Sequence, residues 1–240
     1  MRVTVLMPTY NYGKWISGAI KSIFRQDYLE KFPDGTLSVI VIDDNSTDNT
    51  KEIVTNIGKE DSRGVSVGYI QNIETKGPSF SRNQGIKATI QNTDVYAMLD
   101  ADDEYQPNKI SRCVEKMLEF PDIGLVCTDF VNYSDDRGYL NHEYRPPYER
   151  NVLERECIIY SGALFRANIL PKSGLFDEEM RVCEDYDLWL RLTEHTIACH
   201  VAEPLSVRRV TGLNSDQTVP VEIWHQNWDR IRNKLLARNQ

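Results

Sequence analysis

Apolar residues fall along this chain in short, unbroken runs separated by longer amphipathic stretches. The β-branched run Val3–Met7, ended by Pro8-Thr9-Tyr10-Asn11, reads as a strand buried on both faces. From Lys14 the residues Trp15, Ile16, Ala19, Ile20 and Ile23 recur at spacings of three and four, which predicts a helix to about Gln26. The unit then repeats. Leu37–Ile42 is a second strand that stops at a polar run, Asp43–Thr50. Its Ser-Thr-Asp-Asn segment suits a helix N-terminus, with Ile53, Val54 and Ile57 as the buried stripe. Val65–Ile70 gives a third strand, Lys76-Gly77-Pro78 turns into a helix from about Ser79 to Ile90, and Val95–Leu99 gives a fourth strand. Strands alternating with helices over short connections predict a mainly parallel sheet with helices on both faces.

Beyond Pro107 a helix carries Ile110, Val114, Met117 and Leu118 and stops at Phe120-Pro121. The pattern then changes. Ile123–Tyr133 reads as a long strand turning through Ser-Asp-Asp-Arg-Gly into a return strand at Tyr139–Tyr144, an antiparallel pair. Residues 145–151 read as loop, Ile158–Arg166 as a strand, Asn168–Gly174 as a turn of helix, and 184–192 as a helix with Leu188, Trp189 and Leu192 inward. Val201–Val207 reads as the last strand and Val221–Arg238 as an end helix.

Three polar clusters follow strands directly: Pro8–Asn11, Asp43–Asp48 and Asp100–Asp103. In open α/β sheets ligands gather at the carboxyl ends of the strands, so this topology unites the three clusters in a single site. Asp100, Asp102 and Asp103 put three carboxylates into four residues, which is unfavourable unless a cation sits among them. Carboxylates are hard ligands and no Cys or His lies nearby at ligand spacing, so the ion implied is Mg²⁺ or Mn²⁺ rather than zinc. The bland alternative is a loop that caps the helix opened by Pro107.

Composition narrows the choice. A net charge of −8 opposes a nucleic-acid binder driven by phosphate neutralisation. Five cysteines, odd in number and without a Cys-x-x-Cys pair, suggest neither a disulfide framework nor a zinc site. The opening apolar run is too brief for a signal peptide and no later run is long enough to span a membrane, so a soluble cytoplasmic protein is expected. No linker or repeat marks a domain boundary in the 240 residues.

With these pieces in order, the chain resembles the inverting glycosyltransferases of family 2, which have the GT-A fold and use nucleotide-activated sugars. Four motifs carry the resemblance: Met7-Pro8-Thr9-Tyr10-Asn11, Val41-Ile42-Asp43-Asp44-Asn45-Ser46-Thr47-Asp48-Asn49-Thr50, Leu99-Asp100-Ala101-Asp102-Asp103, and Glu184-Asp185-Tyr186-Asp187-Leu188-Trp189-Leu190-Arg191. The resemblance implies an α/β, Rossmann-like GT-A domain over residues 1–240, with a mainly parallel sheet flanked by helices and a smaller antiparallel sheet on the acceptor side. Within it, 1–104 would bind the nucleotide sugar, 105–215 would form the acceptor half, and 216–240 an end helix.

The same resemblance assigns roles. Pro8, Thr9, Tyr10, Asn11, Asp43 and Asp44 would hold base and ribose, Asp44 accepting the imide proton of uracil or thymine, with Arg82 near the base. Asp102 would ligate Mg²⁺ or Mn²⁺ bridging the two phosphates, with Asp103 a further ligand or an orienter, and Asp100 on the ribose or supporting the metal indirectly. Gly162 would line the sugar pocket. Asp185 would be the general base that takes the acceptor proton opposite the departing phosphate. The implied partners are a UDP-sugar donor and a glycan or lipid-linked acceptor, with no nucleic acid.

Plainer readings stand beside these. Asp44 could make an Asx turn, Arg82 face solvent, Gly162 serve a tight bend, and Glu184 and Asp185 form the acidic first turn of a helix. Asp187 and Arg191, four apart, read as a structural helix pair. One departure from the family stands out: the metal-ligating His common near the chain end has no counterpart in Val207-Arg208-Arg209-Val210-Thr211-Gly212. Arg208 and Arg209 could share the phosphate neutralisation there, and His195 and His200 read as surface or core residues. Competing identities are a sugar nucleotidyltransferase, which normally opens with a Gly-rich basic loop, a phosphorylated receiver module, which is about half this length, and an inactive sugar-nucleotide-binding relative. In the end helix Trp224, Trp228, Ile231, Leu235 and Leu236 form an apolar stripe beside Arg230, Arg232, Lys234 and Arg238. That stripe implies either a docked helix with a solvated basic side or weak peripheral contact with anionic lipid.

Overall fold

The computed structural model describes residues 1–238. In chain order, β1 (Arg2–Thr9) leads to α1 (Ile16–Phe24) and the short α2 (Tyr28–Lys31), β2 (Thr36–Asp43) to α3 (Thr50–Ile57), and β3 (Ser66–Gln71) to α4 (Pro78–Thr89). Next come β4 (Val95–Met98), the two-residue β5 (Glu104–Tyr105), α5 (Lys109–Glu119), β6 (Ile123–Ser134), β7 (Gly138–Glu143) and α6 (Arg150–Leu153). The chain continues through β8 (Leu164–Arg166), α7 (Leu170–Ser173), α8 (Glu184–Leu192), β9 (Ile197–Arg209), α9 (Ser215–Thr218) and α10 (Val221–Arg238). Residues 239 and 240 of the segment expected over 216–240 lie outside the described residues.

The strands form one sheet in the order β3-β2-β1-β4-β8-β6-β9-β5, with β7 paired to β6. Strands β3, β2, β1 and β4 are mutually parallel, as the strand–helix alternation predicts. The period of two explains the burial of both faces. Val3, Val5 and Met7 of β1 face a layer containing Ile16, Ile20 and Ile23 of α1, Val54 of α3 and Val114 of α5. Leu6 points the other way, towards Ile86 of α4, Leu188 and Trp189 of α8 and Ile231 of α10.

The second half differs from expectation in three respects. The antiparallel strands do not close a separate small sheet. β8 pairs antiparallel with both β4 and β6 and so carries the same sheet onward, while β6 and β9 pair parallel over most of their length. The strand expected over 158–166 is only Leu164–Arg166. Ile158, Ile159 and Tyr160 are buried outside any ladder, because an apolar run reports burial rather than hydrogen bonding. β9 is longer than the expected 201–207 and holds Pro204 in its interior. The missing N–H is tolerated because the register with β6 shifts on either side of Asp129, the residue opposite Pro204.

Helix α10 docks through Ile231 and Asn227, whose Nδ2 donates to the carbonyl of Val182 at 3.0 Å. Its basic side is largely paired within the protein, with Arg230 still 39% exposed and Arg232 exposed. Arg230 pairs with Asp177 and Glu179, Lys234 with Asp177 and Asp187, and Arg238 with Glu194. Charge that would draw the helix to anionic lipid is thus largely neutralised within the protein. Among the described residues no helix is long and apolar enough to cross a membrane.

Candidate functional site

The parallel register puts Thr9 of β1 opposite Asp43 of β2, and Leu6 opposite Met98 of β4, so the first three polar clusters leave the sheet at one edge. Side chains then stitch the loops after β1 and β2 together. Asn11, held in the left-handed region at φ 59°, accepts the Thr47 N–H on its Oδ1 at 2.8 Å, and its own N–H donates to Ser46 Oγ at 2.8 Å. Asp43 makes the turn, accepting the Ser46 N–H on Oδ1 at 2.8 Å and the Tyr69 hydroxyl on Oδ2.

Asp44 is not an Asx turn. Its buried carboxylate accepts Asn72 Nδ2 at 2.7 Å, the Lys76 N–H at 3.0 Å and the Gly77 N–H at 2.7 Å. Gly77 sits at φ 91°, where a side chain would be strained, and this conformation turns its N–H onto Asp44 just before α4 begins. Asp44 therefore arrives at the site with three donors already in place. Pro8 and Thr9 close β1, Thr9 buried with its Oγ1 free of any hydrogen-bond partner among the described residues, and Tyr10 is exposed.

Arg82 resolves into neither a solvent-facing residue nor an isolated base contact. It is buried, with Nη2 2.8 Å from Asp100 Oδ1 and Nη1 2.5 Å from Glu184 Oε1. Burial opposes its charge, but Asp100, Glu184 and Asp185 outweigh that and leave its pKa raised. One guanidinium thus ties the fourth strand's acidic end to the start of α8, two segments over eighty residues apart in sequence. α8 begins at Cys183, a non-glycine residue at φ 60°, and its preceding loop is anchored by Asn227 of α10.

Asp185 lies half-buried in the first turn of α8, its Oδ1 accepting the Tyr186 N–H at 2.7 Å. Burial and the neighbouring Glu184 push its carboxyl up to about 7, against the opposing pull of Arg82. Asp187 plays the structural part expected of it, pairing with Arg191 at 2.7 Å and also with Lys234 at 3.0 Å.

The acidic cluster divides by role. Asp103 is buried and fully engaged, accepting the Arg209 N–H at 2.9 Å on one oxygen and the Tyr160 hydroxyl on the other. Asp102 has one weak partner, Asn214 Nδ2 at 3.3 Å, and burial followed by the charge of Asp100 pushes its carboxyl up to about 7. Arg208 and Arg209 pull the other way. The antiparallel pairing of β5 with β9, Glu104 opposite Val207, brings these two arginines beside the aspartates. Arg209 is occupied by Glu104, Asp135 and the Asp102 carbonyl, and Arg208 pairs with Asp216 at 3.0 Å.

A hard divalent ion suits this donor set. Asp102 is a buried carboxylate crowded by Asp100 and short of hydrogen bonds. Among the described residues no three acidic, His or Cys groups form a complete cage. Mg²⁺-type sites complete themselves from one or two carboxylates plus substrate phosphates. Gly162 lies where a Cβ would come within 2.8 Å of Tyr160 Cε1, so its lack of a side chain lets Tyr160 reach Asp103.

Several participants escaped the sequence reading. Tyr12, one residue past the first motif, has its phenol pKa raised by burial first and then by the charges of Asp102, Asp100 and Asp103. Tyr160 and Asn214 meet the aspartates only through the fold, and no local pattern marks that contact; Arg209, marked in the sequence as a cation for the phosphates, adds its backbone N–H to Asp103. Asn214 is the side chain that reaches Asp102 from the segment where the family's His was sought. His195 and His200 make no contact with the aspartate cluster, and His200 instead meets Asp129.

The chain is 28% identical over 217 residues to an uncharacterised glycosyltransferase of Rickettsia bellii, covering 89% of this chain and 29% of that protein. It is 25% identical over 239 residues to chondroitin synthase of Escherichia coli, covering 98% and 33% respectively. It thus spans about a third of the length of these relatives. Among solved structures, S. aureus TarS 1–349 in complex with UDP matches with a TM-score of 0.70 at 19% identity, over 88% of this chain and 61% of that one. The mannosyltransferase PcManGT from Pyrobaculum calidifontis, in complex with GDP-Man and Mn²⁺, matches with a TM-score of 0.65 at 21% identity, over 86% and 56%. These likenesses establish the GT-A fold. The Glycosyl transferase family 2 profile matches residues 4–170, well over half the chain, and the protein belongs to that family.

Proposed function

We propose that the protein is an inverting glycosyltransferase that moves a sugar from a UDP-sugar to a hydroxyl of a glycan or lipid-linked acceptor. The observation that carries the reading is the Arg82 bridge, which joins Asp100 of the aspartate cluster to Glu184, the neighbour of Asp185, whose pKa is about 7. That is the separation of duties an in-line displacement needs: leaving-group stabilisation on one side and a base on the other.

In this account residues 1–104 bind the donor, 105–215 form the acceptor side, and 216–238 buttress the loop before α8. Pro8 to Asn11 and Asp43 frame the base and ribose. Asp44 holds the 72–77 loop against the base and offers its remaining lone pair to the imide N–H of uracil, a reading to which the UDP bound by TarS lends support. Asp100 steadies the ribose side while engaged with Arg82. Asp102 holds Mg²⁺ or Mn²⁺, and Asp103 orients Asp102 through its fixed bonds to Tyr160 and Arg209. The ion, when bound, neutralises the diphosphate as its charge develops. Arg208 stands close enough to share that neutralisation if it exchanges Asp216 for a phosphate oxygen. Asp185 accepts the acceptor proton, and its pKa near 7 matches a base that must be free at neutral pH yet able to hold a proton. Gly162 serves the sugar side by letting Tyr160 pack close and reach Asp103.

The test is release of nucleoside diphosphate from UDP-, TDP-, GDP- and CDP-sugars, with Mn²⁺ and with EDTA, across candidate acceptors. Metal-dependent turnover confined to a uridine or thymidine donor is expected. A preference for GDP- or CDP-sugars would overturn the assignment of donor and of Asp44 together.

A further inference from the structure

Three arginines that meet the acidic clusters are already neutralised. Arg82 is paired with Asp100 and Glu184, Arg208 with Asp216, and Arg209 with Glu104 and Asp135. Arg145 takes part in no ion pair among the described residues, and its Nε is buried without any hydrogen-bond partner. An unpaired guanidinium held partly out of water is costly unless it awaits an anion.

Its position is built rather than incidental. The Arg145 backbone N–H donates to Asp129 Oδ1 at 2.8 Å. Asp129 is itself buried and braced by His200 Nε2, 2.8 Å from Oδ1, and His142 Nε2, 3.3 Å from Oδ2. The guanidinium carbon lies over the Phe130 ring, 5.1 Å from its centroid. Phe130 in turn stacks on Tyr160 at 4.2 Å between centroids, and Tyr160 donates to Asp103. Arg145 is therefore two aromatic rings from the aspartate cluster. It is also near Asp185, since both residues act on the same thiol, that of Cys157, with opposite sign. On the proposed reading Asp185 marks the acceptor side of the site, and Arg145 shares that neighbourhood.

We propose that Arg145 is an anion-recognition residue for the acceptor, receiving a carboxylate or phosphodiester group close to the hydroxyl that is glycosylated. The inference rests on the reading of the cleft as a transfer site and deepens it by naming the acceptor class as acidic. Charge makes the same point. The site is rich in carboxylates, and Arg145 is a cation that none of them neutralises, so it can admit an anion there. A planar guanidinium held over an aromatic ring is also suited to bidentate oxyanion contact.

The experiment titrates methyl β-D-glucuronide, glycerol 1-phosphate and the neutral methyl β-D-glucoside into the protein, with and without Mn²⁺ and UDP, following ligand-observed NMR. Wild type should bind at least one anionic probe roughly tenfold or more tighter than the glucoside, the range of a charge-assisted hydrogen bond. Arg145→Gln should lose that preference and Arg145→Lys keep part of it, with UDP affinity by calorimetry unchanged in both. Whichever anion prevails identifies a uronate or a phosphodiester acceptor. Equal binding of charged and neutral probes by wild type would overturn the proposal. So would loss of UDP affinity in Arg145→Gln, which would put the residue on the donor. Failure of wild type to bind UDP at all would sink the donor site instead, leaving the nucleotide-free comparison of probes to decide this one.

Discussion

Replacing Arg82 by Met tests whether the bridge between the two acidic segments is the keystone of the cleft. The Arg82–Glu184 arm spans 2.5 Å between side chains that are 4% and 11% exposed, so removing the cation strands a nearly buried carboxylate. Breaking such a pair from one side costs about 3–5 kcal/mol. The Asp100 arm, with its carboxylate 38% exposed, is screened by water and adds no more than about 1 kcal/mol. For a chain of this size the first arm alone corresponds to a fall in Tm of roughly 6–20 °C. Arg82 also holds the Asp185 pKa down, so in the variant the residual activity should rise with pH through a midpoint above the wild-type value near 7. The double variant Arg82→Met, Glu184→Met exchanges the pair for apolar volume and should recover most of the lost stability while remaining catalytically poor. Thermal denaturation and a pH–rate profile of the three proteins suffice. A single variant within 1–2 °C of wild type, or a double variant no more stable than the single, would refute the argument that this pair is buried and mutually dependent.

Asp44→Ala should weaken UDP more than pyrophosphate, by the ~1.5–3 kcal/mol of a charge-assisted hydrogen bond, and equal losses by calorimetry would remove Asp44 from base recognition. Asp102, raised to about 7, is protonated in the folded state and ionised in the unfolded one between roughly pH 4 and 7. The ligand-free fold therefore loses stability as pH rises across that window. Because a metal requires the ionised form, the Tm increase given by Mn²⁺ with UDP should be larger at pH 8 than at pH 5.5, and the opposite order would contradict Asp102 as the ligand. Gly162→Ala sets a Cβ 2.8 Å from Tyr160 Cε1. Overpacking of this kind costs ~1–3 kcal/mol, and because Tyr160 holds Asp103 it should also weaken Mn²⁺-dependent UDP binding; unchanged Tm and affinity would show that Tyr160 can move aside freely.

What could be read from the sequence was local. The runs Val3–Met7 and Leu37–Ile42 announce buried strands by period alone, and the acids that follow them lie at one sheet edge because parallel strands end together. Ile158–Tyr160 carries the same apolar signal yet joins no ladder, since burial and hydrogen bonding are separate properties. β9 runs past the expected 201–207 at both ends with Pro204 in its interior, and only the shifted register against β6 shows how the strand absorbs it. Arg82 and Arg145 look alike in sequence, each a lone cation in a polar stretch. One is clamped between Asp100 and Glu184 and the other is unpaired, a difference set by partners up to about a hundred residues away. The basic stripe of α10 read as lipid-facing or solvated for the same reason: Asp177, Asp187 and Glu194, which neutralise it, sit in other elements.

The central claim is that Asp185 is the base, and Asp185→Asn tests it most directly. The substitution preserves shape and removes the proton acceptor without touching the aspartates that hold the donor. Calorimetry with Mn²⁺ and UDP and transfer from the preferred UDP-sugar should be measured on the same preparation. The account predicts wild-type UDP affinity with transfer reduced at least ~10²-fold, as removal of a general base requires. Near-normal transfer by Asp185→Asn would contradict it.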